Sequence, residues 1–128
     1  MILDSSAIVA ILLREPGHTD LQAKLAAAPS LGVSTPTLLE AGIVLSARLD
    51  RDARGLLARL VQEAGVVVIP FSEAHCSSAH QAWLAFGKGR HPAALNFGDC
   101  VSYATARLAD EPLLSTGDDF PQTDLPLA

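Results

Sequence analysis

The chain has 128 residues, 49% of them hydrophobic and 18% charged, with a net charge of −5 from 14 acids and 9 bases. That length and apolar content suffice for one domain over residues 1–128, with a core that needs no disulfide or structural metal. The acidic balance excludes a broad nucleic-acid-coating surface, no apolar run is long enough to span a membrane, and Cys76 and Cys100 lack the spacing of a disulfide framework, so the expected setting is cytoplasmic.

In chain order, Met1-Ile2-Leu3 reads as a very short buried strand that stops at Asp4. Ser5–Leu13 follows as a helix with Ile8, Ile11 and Leu12 on one face. Glu15-Pro16-Gly17 breaks it, and an alanine-rich helix over His18–Ala28 ends at Pro29. Leu31–Ser34 is a short strand. Thr35-Pro36 suits a helix start, with Thr35 as N-cap, and this third helix runs to about Leu49. Asp52–Ala64 is a fourth helix, stopped near Gly65. Val66–Ile69 is a β-branched strand closed by Pro70. Ser72 caps a fifth helix over Glu73–Phe86. Gly87–Asn96 is a loop, Gly98–Leu108 a sixth helix, and Pro112–Ser115 a strand, with a weak C-terminal strand beyond. Short apolar strands separated by helices specify an α/β fold: a three-layer α/β/α sandwich around a short-stranded, mainly parallel sheet.

Four acids stand out from this frame. Asp4 ends the first strand, and Asp118 follows the last one. Asp99 opens the sixth helix, and Glu40 lies early in the third. Taken singly, Asp4 fits an N-cap, Asp99 a favourable charge at a helix N-terminus, and Asp118 a turn, with Asp119 competing for the same place. Glu40 is harder to place in that way. It stands among Leu38, Leu39, Ala41, Gly42, Ile43, Val44 and Leu45, so the helix should be buried all round. An ionised Glu there requires a partner or a metal, and no cationic residue lies within a turn. All four acids fall on the carboxyl edge of the sheet, where open α/β sheets bind ligands. Four carboxylates on one edge repel one another and raise each other's pKa. A divalent cation relieves that repulsion, and Mg²⁺ or Mn²⁺ accepts such oxygen ligands.

At these residues the chain resembles the PIN-domain family, and within it the VapC-type toxins of bacterial toxin–antitoxin pairs. Four segments carry the resemblance: Ile2-Leu3-Asp4-Ser5-Ser6-Ala7, Glu40 in the third helix, Leu95-Asn96-Phe97-Gly98-Asp99-Cys100, and Leu113-Leu114-Ser115-Thr116-Gly117-Asp118-Asp119-Phe120. The resemblance covers the whole chain. The resemblance implies Mg²⁺- or Mn²⁺-dependent RNA cleavage that leaves a 5′-phosphate and a 3′-hydroxyl. It assigns the catalytic acids to Asp4, Glu40, Asp99 and Asp118, with the metal held mainly by Asp4 and Asp99. It places supporting hydroxyls at Ser6 and Thr116. Ser5 stands where the family commonly has Thr. The resemblance also implies a homodimer and a cognate VapB-type antitoxin that occludes the site. The apolar excess of this small chain fits both.

Lys88 and Arg90, with His91, lie in the glycine-rich loop before Asp99 and are candidates for contact with the RNA backbone. His75 and His80 are five apart and off-face, so no zinc site is expected. Two other classes compete. A phosphotransfer domain also places an acid after its first strand, but a phosphatase of the haloacid-dehalogenase kind needs Asp-x-Asp where this chain has Asp4-Ser5-Ser6. A receiver domain needs a late lysine, and the only lysines are Lys24 and Lys88. A non-catalytic interaction module on the same fold is disfavoured by the presence of all four acids.

Overall fold

The computed structural model describes residues 1–128. Its elements are β1 (Ile2–Leu3), α1 (Ser5–Leu12), α2 (His18–Ala27), β2 (Leu31–Ser34), α3 (Thr35–Leu49), α4 (Arg54–Ala64), β3 (Val66–Ile69), α5 (Glu73–Phe86), α6 (Phe97–Ala109) and β4 (Leu113–Leu114), followed by a 3₁₀ turn over Phe120–Gln122. The strands form one parallel sheet in the order β3-β2-β1-β4. The expected α/β fold is observed. The weak C-terminal strand reduces to one parallel bridge between Leu113 and Leu127.

Successive strand residues point to opposite faces, and this splits the core in two. Leu3 and Leu114 join Ile8, Ile11, Leu21 and Leu45 from α1, α2 and α3 on one face. Their neighbours Ile2 and Leu113 join Ala82, Cys100, Tyr103 and Ala106 from α5 and α6 on the other. Two-residue strands can hold the centre of the sheet because all four of these side chains are almost wholly buried.

Strand order sets where a ligand can enter. From β1 the chain winds outward through β2 to β3, then crosses back to place β4 on the other side of β1. The connections leaving β1 and β4 therefore diverge, and a crevice opens between their carboxyl ends. α3 follows β2, so its first turns lie on that edge. α6 leads into the amino end of β4, so its N-terminus lies there too.

Three helix starts differ from the sequence reading. Ser34, not Thr35, caps α3: its backbone is extended and its Oγ accepts the Thr37 N–H at 3.3 Å. Thr35 becomes the first helical residue and Pro36 the second, where a missing N–H costs nothing. α4 begins at Arg54 rather than Asp52, because the Asp52 carboxylate turns back to accept the Arg54 N–H and bind its guanidinium. α6 begins at Phe97, with Asn96 as its cap.

α3 also departs from the expectation of burial all round. Ala41 and Leu45 are sealed in the core, yet Leu39 and Ile43 are 65% and 60% exposed. The helix is amphipathic with a second, outward apolar stripe. Its inner stripe holds the fold. Leu45→Ala should lower the unfolding free energy by about 2–5 kcal/mol, read from urea denaturation, because the Leu45 side chain is 0% exposed. A loss below about 1 kcal/mol would show that the α1–α3 packing is not the principal core.

Candidate active site

Asp4 closes β1 and starts α1 at once. Its N–H donates to the Leu114 carbonyl at 2.9 Å, extending the β1–β4 ladder past the strand. Its carboxylate is the N-cap of α1, accepting the Ser6 N–H at 3.1 Å and the Ser6 hydroxyl at 2.6 Å on Oδ2. The capping role expected of Asp4 is therefore real, and it leaves the other oxygen available. Oδ1 faces α6, where the Ser102 hydroxyl donates to it at 2.6 Å.

Ser102 ends a chain of buried hydroxyls. Ser34 Oγ donates to Thr37 Oγ1 at 2.9 Å, and Thr37 Oγ1 lies 3.4 Å from Ser102 Oγ. An ionised carboxylate can only accept, so each hydroxyl along the row must donate toward Asp4. The N-cap of α3 is thus linked to the acid at the end of β1. Ser6 Oγ works on the other side: having given its proton to Asp4, it accepts the Thr116 N–H at 3.0 Å. Ser6 supports Asp4 as expected. Thr116 takes part through its backbone, not through its hydroxyl.

Glu40 is half-buried in the second turn of α3, and Ser5 Oγ donates to its Oε1 at 2.5 Å. Its carboxylate packs over the backbone of Gly98, next to Asp99. Asp99 is the third residue of α6 and forms a reciprocal capping box with Asn96. The Asn96 N–H donates to Asp99 Oδ2 at 3.1 Å, and Asn96 Oδ1 accepts the Asp99 N–H at 2.9 Å. Asp99 Oδ1 stays uncommitted.

The electrostatics join these groups into one site. Burial pushes the Asp99 carboxyl up, against the pull of the Asn96 N–H, and the charges of Asp4, Asp119 and Glu40 add to it, bringing it to about 6. The chain's acidic ion-pair partners are Glu111, Glu15, Asp52, Glu63 and Asp124. None of the site acids has such a partner. Within the Asp118-Asp119 doublet, Asp119 is the member whose charge is felt at Asp99. Asp118 is exposed, and its carbonyl accepts from Gln122 Nε2 at 3.1 Å.

The basic loop is arranged differently from the free cationic cluster expected there. Arg90 Nε donates to the Leu84 carbonyl near the end of α5, and its guanidinium lies 5.0 Å from the Trp83 ring centroid. Lys88 is exposed on the same loop, which Gly87 and Leu95 pin with a parallel bridge. His75 is engaged in the cap of α5 with Ser72, and Cys100 is buried.

The sequence reading gave no role to Ser34, Thr37 and Ser102, and named Ser5 and Gly98 only within the segments that carry the family resemblance. Ser102 had a signal: it lies three residues after Asp99, hence on the same face of α6. The capping box was also legible in Asn96-x-x-Asp99.

The family model of the PIN domain matches residues 1–125. Ribonuclease VapC36 of Mycobacterium tuberculosis is 51% identical over 126 residues, covering 98% of this chain and 91% of the relative. Among solved structures, the crystal structure of Mycobacterium tuberculosis VapC20, a toxin that cleaves the sarcin–ricin loop, superposes with a TM-score of 0.80 at 20% identity. It covers 99% of this chain and 97% of that one. A toxin–antitoxin complex from Klebsiella pneumoniae superposes with a TM-score of 0.72 at 17% identity, over 99% of this chain and 95% of the matched one.

The field at Asp99 carries a stability signature. Its folded carboxyl titrates near 6 and its ordinary value is 3.8, so the folded state binds the extra proton between those values. Stability from this group is fully present below pH 3.8 and is lost as pH rises through 6. Asp99→Asn keeps the capping acceptor and removes the charge. In metal-free buffer it should raise the melting temperature at about pH 7.5, and the gain should vanish by about pH 4. A difference in melting temperature that stays flat from about pH 4 to 8 would contradict the crowding described here.

Proposed function

The chain belongs to the PIN-domain family, and from that premise we propose that it is a metal-dependent endoribonuclease, the toxin of a toxin–antitoxin pair. The ribonuclease names of relatives at 51% identity over nearly its whole length support the reaction class. The observation that carries the chemistry is the crowding of Asp4, Glu40, Asp119 and Asp99 with no cationic side chain to neutralise them.

The donor set fits a hard divalent cation. No three Asp, Glu, His or Cys side chains are grouped closely enough to hold a metal ion by themselves. The proposal therefore needs only the one or two carboxylates, with several waters, by which Mg²⁺ is held. Asp4 and Asp99 are the proposed ligands. Asp4 Oδ2 commits its lone pairs to Ser6, while Oδ1 accepts only from Ser102. Asp99 Oδ1 is wholly free. When bound, Mg²⁺ or Mn²⁺ supplies a lowered pKa for water and charge neutralisation at a phosphoryl oxygen.

The chain's own residues do the rest. Ser6 and Ser102 fix the Asp4 carboxylate from both sides, so it cannot rotate as the substrate enters. Ser5 holds Glu40 Oε1 and leaves Oε2 free to receive a hydrogen bond from water. Asp119 is proposed as the fourth acid in place of Asp118, because it is the member of the doublet whose charge reaches Asp99. Lys88 is the better candidate for the RNA backbone, since Arg90 is committed to α5 and Trp83.

The proposed partners are an antitoxin and a second copy of the chain. An antitoxin suits the apolar groove of about 850 Å³ between α3 and α4, lined by Leu38, Leu39, Ile43, Leu57 and Val61. Glu40 lies beside Leu39 on the same helix, so a segment seated in that groove comes close to the site. No helix is long and apolar enough to cross a membrane.

The test is cleavage of a fluorogenic RNA by the full chain. Asp4→Asn and Asp99→Asn should each reduce kcat/KM by at least about 10²-fold with circular dichroism unchanged. Excess EDTA should abolish cleavage, and Mg²⁺ or Mn²⁺ should restore it. Cleavage at the wild-type rate by either Asn variant would refute the site. Cleavage that persists under chelation would refute the metal requirement. For the doublet, Asp119→Asn should cost more activity than Asp118→Asn, and the reverse order would return the fourth place to Asp118.

Ser102→Ala separates positioning from bulk stability. It removes the donor to Asp4 Oδ1 and leaves the rest of the hydroxyl row without its acceptor. The expected result is a fall of about 10-fold in kcat with KM nearly constant. An unchanged kcat would show that Ser6 alone orients Asp4.

A further inference from the structure

We propose that Gly98 is a positioning residue of the site: its missing side chain is the seat of the Glu40 carboxylate. The inference rests on the reading of Glu40 as a site acid, and it gives a role to the residue that precedes Asp99 in its segment.

Glycine is an unfavourable choice at this position. It lies in the first turn of α6, where Ala is favoured by up to about 1 kcal/mol. The left-handed glycines of this chain are Gly17, Gly65, Gly89 and Gly117, and Gly98 is not among them. Backbone conformation therefore gives no reason for it. Space does. A methyl group on Gly98 would fall inside van der Waals contact with Glu40 Oε2, with Oε1 at 2.9 Å and Cδ at 3.0 Å. The Glu40 carboxylate occupies the space that a side chain on Gly98 would need, and Ser5 Oγ donates to its Oε1 at 2.5 Å.

The obstacle is selective. The atoms in the way belong to the far end of the Glu40 side chain, not to the α3 backbone. The added methyl of Gly98→Ala would displace the carboxylate and leave both helices where they are. Displacement on the order of 1 Å from a productive geometry costs about 10²-fold in rate. Gly98 thus gives up helix stability for the approach of Glu40 to Asp99.

A double-mutant cycle in the full chain tests this, with RNA cleavage and thermal melting as readouts. Gly98→Ala should melt at or above the wild-type temperature and lower kcat by about 10²-fold with KM nearly unchanged. Glu40→Gln should lower kcat on its own, and Gly98→Ala added to it should cause little further loss, because both act on one carboxylate. Three outcomes would overturn the inference. Gly98→Ala could cleave at the wild-type rate while Glu40→Gln is inactive. The two losses could multiply in the double variant. Gly98→Ala could melt far below wild type, showing that Glu40 does not yield and the space serves folding. Wild-type cleavage by Glu40→Gln would instead refute the role of Glu40 itself, and with it the reading on which this inference stands.

Discussion

The Asp4 carboxylate is only 4% exposed, and a carboxylate taken that far out of water persists only if its oxygens are satisfied. Three donors satisfy it, from Ser6 on its own helix and Ser102 on α6. Those contacts tie together parts of the chain that meet nowhere else in this way. Through Ser6, the acid is joined to the Thr116 backbone after β4. Through Ser102 and Thr37, it is joined to the cap of α3. The crevice at the switch between β1 and β4 is therefore held by hydroxyls that all donate toward one charge. Loss of any one leaves a buried acceptor or a buried hydroxyl without its partner, which costs more than a single hydrogen bond contributes in solution.

The same arrangement sets the character of the other acids. Asp4 is compensated by neutral donors, so its charge is not cancelled and still acts on its neighbours. At Asp99 burial is the main cause of the raised pKa, and the Asp4 charge adds to it; together with the charges of Asp119 and Glu40 they bring its carboxyl to about 6. Glu40 is held from α1, where the Ser5 hydroxyl donates to its Oε1. A site built this way is less stable empty than an apolar surface of the same shape. Such crowding is what the proposed divalent cation would relieve.

How far this was legible in the sequence depends on the distance over which each feature is determined. Elements followed from local rules: β-branched Val66–Ile69, the Ser72 cap, and the breaks at Pro16 and Gly65 all appear where their chemistry puts them. Asp4, Glu40 and Asp99 were visible because acids flanked by apolar residues are unusual. The errors came where two local rules compete. Ser34 and Thr35 can both cap a helix, and the strand register decided for Ser34, whose buried hydroxyl also meets Thr37. Asp118 and Asp119 are a separate case: they are equivalent as sequence, and the choice of the fourth acid between them is a proposal, not a correction. The spacing from Asp99 could mark the face of Ser102, but not the contacts of Ser102 and Gly98, because their partners, Asp4 and Glu40, lie on elements far away along the chain. No spacing rule reaches that far. α3 was misjudged for a related reason. Composition reports how apolar a helix is, but not how many of its faces the rest of the molecule covers.

The two faces of α3 explain why its exposed stripe and its acid coexist. Ala41 and Leu45 bind the helix to the core, which fixes its rotation about its own axis. That rotation carries Glu40 toward Gly98 and, in the same step, turns Leu39 and Ile43 outward beside α4. The outward stripe is therefore not free to be buried by a local shift, since any roll of α3 that covered Leu39 would withdraw Glu40 from Asp99. An apolar groove maintained at the surface by the geometry of the site is unfavourable in water. Covering it with another chain relieves that penalty without moving Glu40. Occupation of the groove and integrity of the site are compatible in this fold because both are referred to the same rigid helix.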